Sequence, residues 1–219
     1  MRLVDGEPDF TPWETLRVRE LADALLVAAR KDRPGPVLVA VDGRGASGKS
    51  TLSGQLSAQV PGAVVVHTDD IAWHEPLFAW FGLLGDGVLS PLRAGQPVDF
   101  QPPAWPAHGR EGRITVPADT PLVLVEGTGA AQEHLTGLYD AIIWVQADFD
   151  EAERRGIARD TVQGVNGDAA ETVEFWHHWM RAELAHFAAD RPWERADLVV
   201  CGTPSGPLSP GTVAVHQHR

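Results

Sequence analysis

Apolar residues fall into two kinds of pattern along this chain, and their alternation predicts a layered α/β fold. Short continuous apolar runs stand at Val37-Leu38-Val39-Ala40-Val41, Ala63-Val64-Val65-Val66-His67, Leu122-Val123-Leu124-Val125, Ala141-Ile142-Ile143-Trp144-Val145 and Leu198-Val199-Val200-Cys201. Runs of this length without polar alternation suit strands covered on both faces. Between them, helices are expected over about Gly48–Gln59, Asp150–Asp160 and Ala169–Ala189. Strands alternating with helices imply a parallel sheet, here of about five strands, with helices on both faces in three layers.

The ends read differently. Thr11-Pro12-Trp13-Glu14 has the order of a helix start, with Thr11 as cap, Pro12 at the first helical position and Glu14 closing a capping box. An amphipathic helix is expected from there to about Arg30, carrying Leu16, Leu21, Leu25 and Val27, and Lys31-Asp32-Arg33-Pro34-Gly35 should end it. Residues 1–35 are therefore expected to form an N-terminal helical extension, 36–203 the main domain, and 204–219, rich in Gly, Pro and Ser, a flexible tail. Within the main domain, 73–121 is rich in Trp, Pro and Gly and too long for a plain connection, so it is expected to be an insertion that binds a ligand.

Composition narrows the function. The chain has 219 residues, 18 Lys+Arg against 30 Asp+Glu and a formal net charge of −12, which argues against a broad nucleic-acid surface but not against a local phosphate site. No apolar run approaches the length of a membrane span. The first ten residues lack the basic-then-apolar order of a secretory signal, and the single cysteine, Cys201, fits a reducing compartment, so a cytoplasmic location is expected. The Trp-rich insertion is a candidate interface between copies of the chain.

The strongest chemical signal is Gly43-Arg44-Gly45-Ala46-Ser47-Gly48-Lys49-Ser50, a complete G-x-x-x-x-G-K-S phosphate loop between an apolar run and a helix. Its glycines permit backbone conformations closed to other residues and a close approach to polyphosphate oxygens. Gly43, Gly45, Ala46, Ser47, Gly48, Lys49, Ser50 and Thr51 are the candidate nucleotide-binding residues; Lys49 would reach the β- and γ-phosphates and Ser50 would ligate Mg²⁺. The Asn-Lys-x-Asp pattern of a guanine-specific switch is absent.

Three further groups bear on the reaction. Asp69-Asp70 follows the second strand, where ligands of open α/β sheets collect, and a carboxylate there would accept a hydroxyl proton or hold Mg²⁺; the alternative is a helix cap. Glu126-Gly127 ends the next strand in the position of a magnesium-organising acid. Arg154, Arg155 and Arg159 lie on one helical stretch, either as cations closing over phosphate or as a solvated face paired with Asp150, Glu151 and Glu153. Glu174 and His178 have i,i+4 spacing but no recognisable third ligand, so no zinc site is assigned.

In this order the sequence resembles the uridine kinase family, in the group that also holds phosphoribulokinase and pantothenate kinase. The matching stretches are Gly43–Ser50, the acids after Val66-His67-Thr68, Leu89-Ser90-Pro91-Leu92-Arg93-Ala94-Gly95-Gln96-Pro97 leading to Trp105 and His108-Gly109-Arg110, Val125-Glu126-Gly127, Arg154-Arg155 with Arg159-Asp160, and Ala196-Asp197-Leu198-Val199-Val200. The resemblance implies a P-loop NTPase fold and an ATP- and Mg²⁺-dependent kinase that phosphorylates a hydroxyl of a nucleoside-like acceptor. It implies Asp69 and Lys49 as catalytic residues, Ser50, Asp69 and Glu126 at the metal, and Arg155 and Arg159 as cations of a lid over 150–168. The acceptor side would fall on Asp70, Trp73, Trp105, His108 and Arg110. Departures from the family gather on that side: Asp70-Ile71-Ala72-Trp73 replaces a Ser-Phe-Tyr type run, and Trp105 stands where a tyrosine is expected. On the lid, Gly156 occupies the place of a further arginine. The alternatives are a kinase for another hydroxylated metabolite and a nucleotide-dependent regulatory module that transfers nothing.

Overall fold

In the computed structural model, which describes residues 1–28 and 34–217, the five apolar runs form the parallel part of a seven-stranded sheet. The strands are β1 (Glu14–Arg17), β2 (Val37–Gly43), β3 (Val64–His67), β6 (Leu122–Glu126), β7 (Ala141–Gln146), β8 (Leu198–Cys201) and β9 (Thr212–Gln217), in the spatial order β1-β9-β8-β7-β2-β6-β3. The five strands from β8 to the β3 edge pair in parallel, as in Val39 opposite Leu124 on one side and Ala141 on the other. A separate two-stranded ribbon, β4 (Val98–Phe100) with β5 (Ile114–Val116), lies in the insertion.

Both additional strands correct the reading of the chain ends. Glu14–Arg17 pairs antiparallel with β9, and helix α1 (Val18–Ala28) begins only after it. The Thr11–Pro12 bond is cis, and Glu20 takes the helix-start role, accepting from Arg17 N at 3.2 Å. Pairing with an open sheet edge outweighs the local capping pattern at Thr11–Glu14. The helix end expected at Arg30 and the stop at Lys31–Arg33 lie outside the described residues. At the other end, the supposed flexible tail supplies β9, antiparallel to both β8 and β1. Val213, Ala214 and Val215 are buried there, and two β-branched residues in an apolar run are good strand formers once a partner edge is available.

The strands send alternate side chains to two cores, as a period of two requires. Leu38, Ala40, Val123, Val125, Ile142 and Trp144 face one layer, packed with Phe187 and Trp193. Val39, Val41, Leu122, Leu124, Ile143 and Val145 face the other, packed with Leu21 and Leu25 of α1 and with Leu52 and Leu56 of α2 (Lys49–Ser57). The insertion joins the first layer. After α3 (Thr68–Ala72) it forms α4 (Phe81–Leu84), a π-helical turn (Gly85–Leu89), α5 (Ser90–Arg93) and α6 (Ala104–Ala107). Leu84, Val88, Leu89, Leu92 and Trp105 from these pieces are buried in that same core.

Two long helices close the site. Helix α7 (Phe149–Gln163) starts on Asp148, whose carboxylate accepts from Glu151 N at 3.0 Å, and ends at Gly164 with φ 66°. Helix α8 (Ala169–Asp190) starts on a reciprocal capping box between Asp168 and Glu171. No helix among the described residues is long and apolar enough to cross a membrane.

Candidate active site

The phosphate loop bridges the end of β2 and the start of α2. Gly43, Ala46 and Gly48 have φ of 153°, 57° and 104°, so the loop turns through backbone conformations that L side chains rarely adopt. At Gly43 a Cβ would lie 2.6 Å from Val145 O, which fixes glycine there. At Gly48 a Cβ would meet nothing, because that position opens on the cleft. No side chain caps α2, leaving its first backbone N–H groups free for an anionic ligand. Lys49 is buried at the root of the loop, and its ammonium donates to Gly43 O at 3.0 Å, Arg44 O at 2.7 Å and Thr128 Oγ1 at 3.3 Å.

Two acids that sequence reasoning passed over hold this loop in place. Asp42, at the end of β2, is wholly buried and accepts from the backbone N–H groups of Gly43, Gly129 and Ala131 at 2.7, 2.9 and 2.8 Å. It staples the phosphate loop to the loop after β6. Burial pushes its carboxyl upward, against those three amides and the nearby Lys49 charge. Its signal in the sequence was the one used for Glu126, an acid ending an apolar strand just before glycine. Glu183, from the middle of α8, accepts from Gly45 N at 2.5 Å and from Arg44 Nη2 at 3.1 Å. No local pattern announces Glu183, because its partners lie well over a hundred residues away. Burial pushes Glu183 up and Arg44 down, each partly restrained by the other's charge.

Ser50, Asp69 and Glu126 line one cleft of about 990 Å³ together with residues 45–51 of the loop. Ser50 Oγ donates to Glu126 Oε1 at 3.1 Å, and His67 Nδ1 meets the same oxygen at 2.5 Å. Desolvation opposes ionisation of Glu126, but the His67 contact, the Lys49 charge and the Ser50 hydroxyl outweigh it and hold the carboxyl below its usual range. This donor set fits Mg²⁺, which takes hard oxygen ligands, uses one or two carboxylates and completes its shell with phosphate oxygens and water. Among the described residues there is no group of three or more His, Cys, Asp and Glu that would form a protein cage. At Gly127, φ 148°, a Cβ would lie 1.6 Å from Thr68 Oγ1, so a glycine lets the ends of β3 and β6 approach.

Asp69, in the first turn of α3, is one of four residues common to two cavities, with Trp73, Thr128 and Trp179. It lines the large cleft and also a chamber of about 200 Å³ walled by Ala72, Trp73, Glu75, Leu77, Trp80, Thr128 and Trp179. Asp69 stays open to the water of the cleft, yet the protein crowded around it desolvates the carboxylate and raises its pKa, with Lys49 pulling the other way.

Arg155 and Arg159 on α7 also line the large cleft. Each is tied at one edge by a local acid: Arg155 Nε donates to Glu151 at 2.8 Å and Arg159 Nε to Asp160 at 2.7 Å. Arg155 reaches across to Gly202 O at 2.9 Å, whereas among the described residues Arg154 pairs with Glu151 alone. Gly156 has a steric reason: a Cβ there would sit 2.0 Å from the Trp176 ring, whose indole N–H donates to Asp160 at 2.7 Å. Trp176 thus fills the space a larger residue at 156 would need, and with Phe175 and Trp179 it forms the α8 wall of the cleft.

Of the five residues expected on the acceptor side, only Trp73 lines either cavity. Of the other four, Asp70, Trp105 and Arg110 pack with one another and His108 stacks elsewhere. Arg110 pairs with Asp70 at 2.5 Å and lies 3.7 Å over the Trp105 ring, and the Trp105 indole donates to Asp70 O at 2.8 Å. His108 stacks on His74 at 3.8 Å. Trp105 is a core residue, and Asp70 anchors the insertion to α3.

A parallel sheet, a glycine-rich loop and a lysine at a helix start define a P-loop nucleotide-binding fold, and two solved structures that superimpose on it carry kinase descriptions. One is the "putative fructose transport system kinase" of Silicibacter sp. TM1040, with TM-score 0.59 and 22% identity, covering 78% of this chain and 95% of that one. Another is the "possible uridine kinase" of Bacillus stearothermophilus, with TM-score 0.50 and 20% identity, covering 83% of this chain and 98% of that one. The fold is that of P-loop kinases of the uridine kinase-like group. No family model and no curated protein matches the sequence.

Proposed function

We propose that the chain is an ATP- and Mg²⁺-dependent kinase for a small hydroxylated molecule. The observation that carries this reading is the position of Asp69, at the junction between the phosphate-loop cleft and a smaller chamber sized for part of a second molecule. A nucleotide bound on residues 43–51 would direct its terminal phosphoryl group toward that junction. Lys49 and the backbone N–H groups of the loop hold the phosphates, and Ser50 and Glu126 hold the metal, which when bound offsets phosphate charge. Asp69 accepts the proton of the acceptor hydroxyl as its oxygen bonds to the γ-phosphorus and the bond to the β-phosphate oxygen breaks. Its raised pKa suits a general base. Arg155 and Arg159 offset the charge spread over the transferring group.

The resemblance favours a nucleoside-like acceptor. A second reading, another hydroxylated metabolite, is supported by the packing of Asp70, Trp105 and Arg110 against one another, and of His108 on His74, rather than into the chamber. The test is incubation with γ-labelled ATP and Mg²⁺ against a panel of nucleosides, sugars and other alcohols, with the phosphorylated product identified by mass spectrometry. Release of inorganic phosphate alone, with every acceptor unchanged, would overturn the kinase reading.

A further inference from the structure

The small chamber beside Asp69 has an unusual chemical balance. Its wall contains Trp73, Trp80 and Trp179, the apolar Ala72 and Leu77, the hydroxyl of Thr128, and two carboxylates, Asp69 and Glu75, with no Lys, Arg or His. The cations of the site, Lys49, Arg155 and Arg159, line the phosphate cleft instead. Glu75 is half-buried, and among the described residues its carboxylate has no ion-pair or hydrogen-bond partner. Asp70, two positions beyond the chamber's Ala72 in the chain direction of Asp69, is already neutralised by Arg110.

The segment carrying Glu75 is a built wall. His74 and Phe78 bracket it with φ of 61° and 60°, a conformation that bulky residues hold only where the surroundings impose it. A stacking histidine clamps each end: His74 lies on His108 at 3.8 Å and 7°, and Phe78 on His186 at 4.1 Å and 4°. Phe78 also touches Trp179, so the clamp continues into the chamber wall. Strain held at both ends of one short segment fixes Glu75 and Leu77 on the chamber side.

From this arrangement, and resting on the kinase reading above, we propose that the acceptor is an amino alcohol: its hydroxyl at Asp69, its apolar body between the tryptophans, and its ammonium group at Glu75. Aromatic faces and an unpaired carboxylate in one cavity attract a cation by quadrupole and charge together. The same wall repels carboxylated and phosphorylated acceptors, for which it offers no positive partner. At about 200 Å³ the chamber falls below the roughly 300–1,000 Å³ of full ligand pockets, so it suits a small acceptor or one end of a larger one.

The test uses three probes of equal length that differ only at one end: 6-aminohexan-1-ol, hexane-1,6-diol and 6-hydroxyhexanoate. Each is measured with saturating ATP–Mg²⁺ for product formation, and without nucleotide by quenching of tryptophan fluorescence. The amine is expected to lead the diol by about tenfold or more in affinity, with the carboxylate weakest. Glu75→Gln should collapse the amine-to-diol ratio toward one, and Glu75→Lys should turn the preference toward the carboxylate, which a folding defect would not do. An amine preference in fluorescence without transfer to any probe would support the chamber assignment while counting against the kinase reading. Transfer that favours the diol or the carboxylate would leave the kinase reading standing and overturn the amino-alcohol proposal. No amine preference in either measurement, or a preference that survives Glu75→Lys, would also overturn it.

Discussion

The ion pair between Arg44 and Glu183 gives a way to separate the stability of the fold from the shape of the phosphate loop. Both side chains are almost wholly buried, Arg44 lies 4.0 Å over the Phe149 ring, and its Nη1 has no partner. Glu183→Ala would strand a buried guanidinium, a change that costs about 3–5 kcal/mol. For a chain of this size each kcal/mol moves the midpoint by roughly 2–4 °C, so the expected fall in Tm is on the order of 6–20 °C. The double change Arg44→Met with Glu183→Leu replaces the pair by apolar groups of similar volume, which is often neutral or stabilising, and should recover most of that fall. It would not restore function, because Gly45 N would still lack the acceptor it has at 2.5 Å and the loop would relax. Thermal unfolding by circular dichroism and ATP affinity by calorimetry should therefore part company in the double variant: Tm recovered, affinity still weak. A Glu183→Ala protein within about 2 °C of the parent, or a double variant that binds ATP normally, would refute this account of the loop.

Lys49→Ala should reduce phosphoryl transfer by roughly 10²-fold or more with the far-ultraviolet spectrum retained, since the ammonium is aimed at the loop it serves; near-normal turnover would remove it from the reaction. Asp69→Asn should lower turnover by about 10²–10⁴-fold while nucleotide affinity persists, whereas Asp70→Asn should lose much less because Asp70 serves Arg110; a reversed order measured with the true acceptor would exchange their roles. Gly156→Ala would press a Cβ into the Trp176 ring and should cost about 1–3 kcal/mol by thermal melting, with a matching change in intrinsic fluorescence; an unchanged melt would mean that α7 and α8 separate easily.

The inner sheet was legible because strands buried on both faces have no polar positions to disguise them. Leu38 and Val39 enter opposite cores, so the run must be apolar throughout, and the same holds for Val123 with Leu124. The outer strands were not legible for the opposite reason. Glu14–Arg17 is mostly exposed, and its four residues carry no stronger signal than the cap-like Thr11-Pro12 before them; only the edge of β9 makes them a strand. Thr212–Gln217 has a short buried stretch, but the Gly, Pro and Ser preceding it gave the whole segment the composition of a tail.

The site divides along the same line between local and distant information. Residues 45–51 reach the cleft because the phosphate loop is one continuous segment whose spacing carries its geometry, and Glu126 joins it because adjacent parallel strands end at one level. Glu183, Trp176 and Trp179 come to that loop from the middle of α8, where helical periodicity predicts a buried face but not what it is buried against. The acceptor side shows how distance misleads: Trp73, Trp105, His108 and Arg110, grouped by the resemblance, do lie near one another, but the guanidinium of Arg110 satisfies Asp70 and Trp105 and turns that cluster into a support. What it supports is the segment from His74 to Phe78. The aromatic residues therefore act in two tiers, with the outer set of the insertion fixing the wall and the inner set, Trp73 and Trp80 with Trp179 of α8, forming the surface that a second molecule would meet beside Asp69.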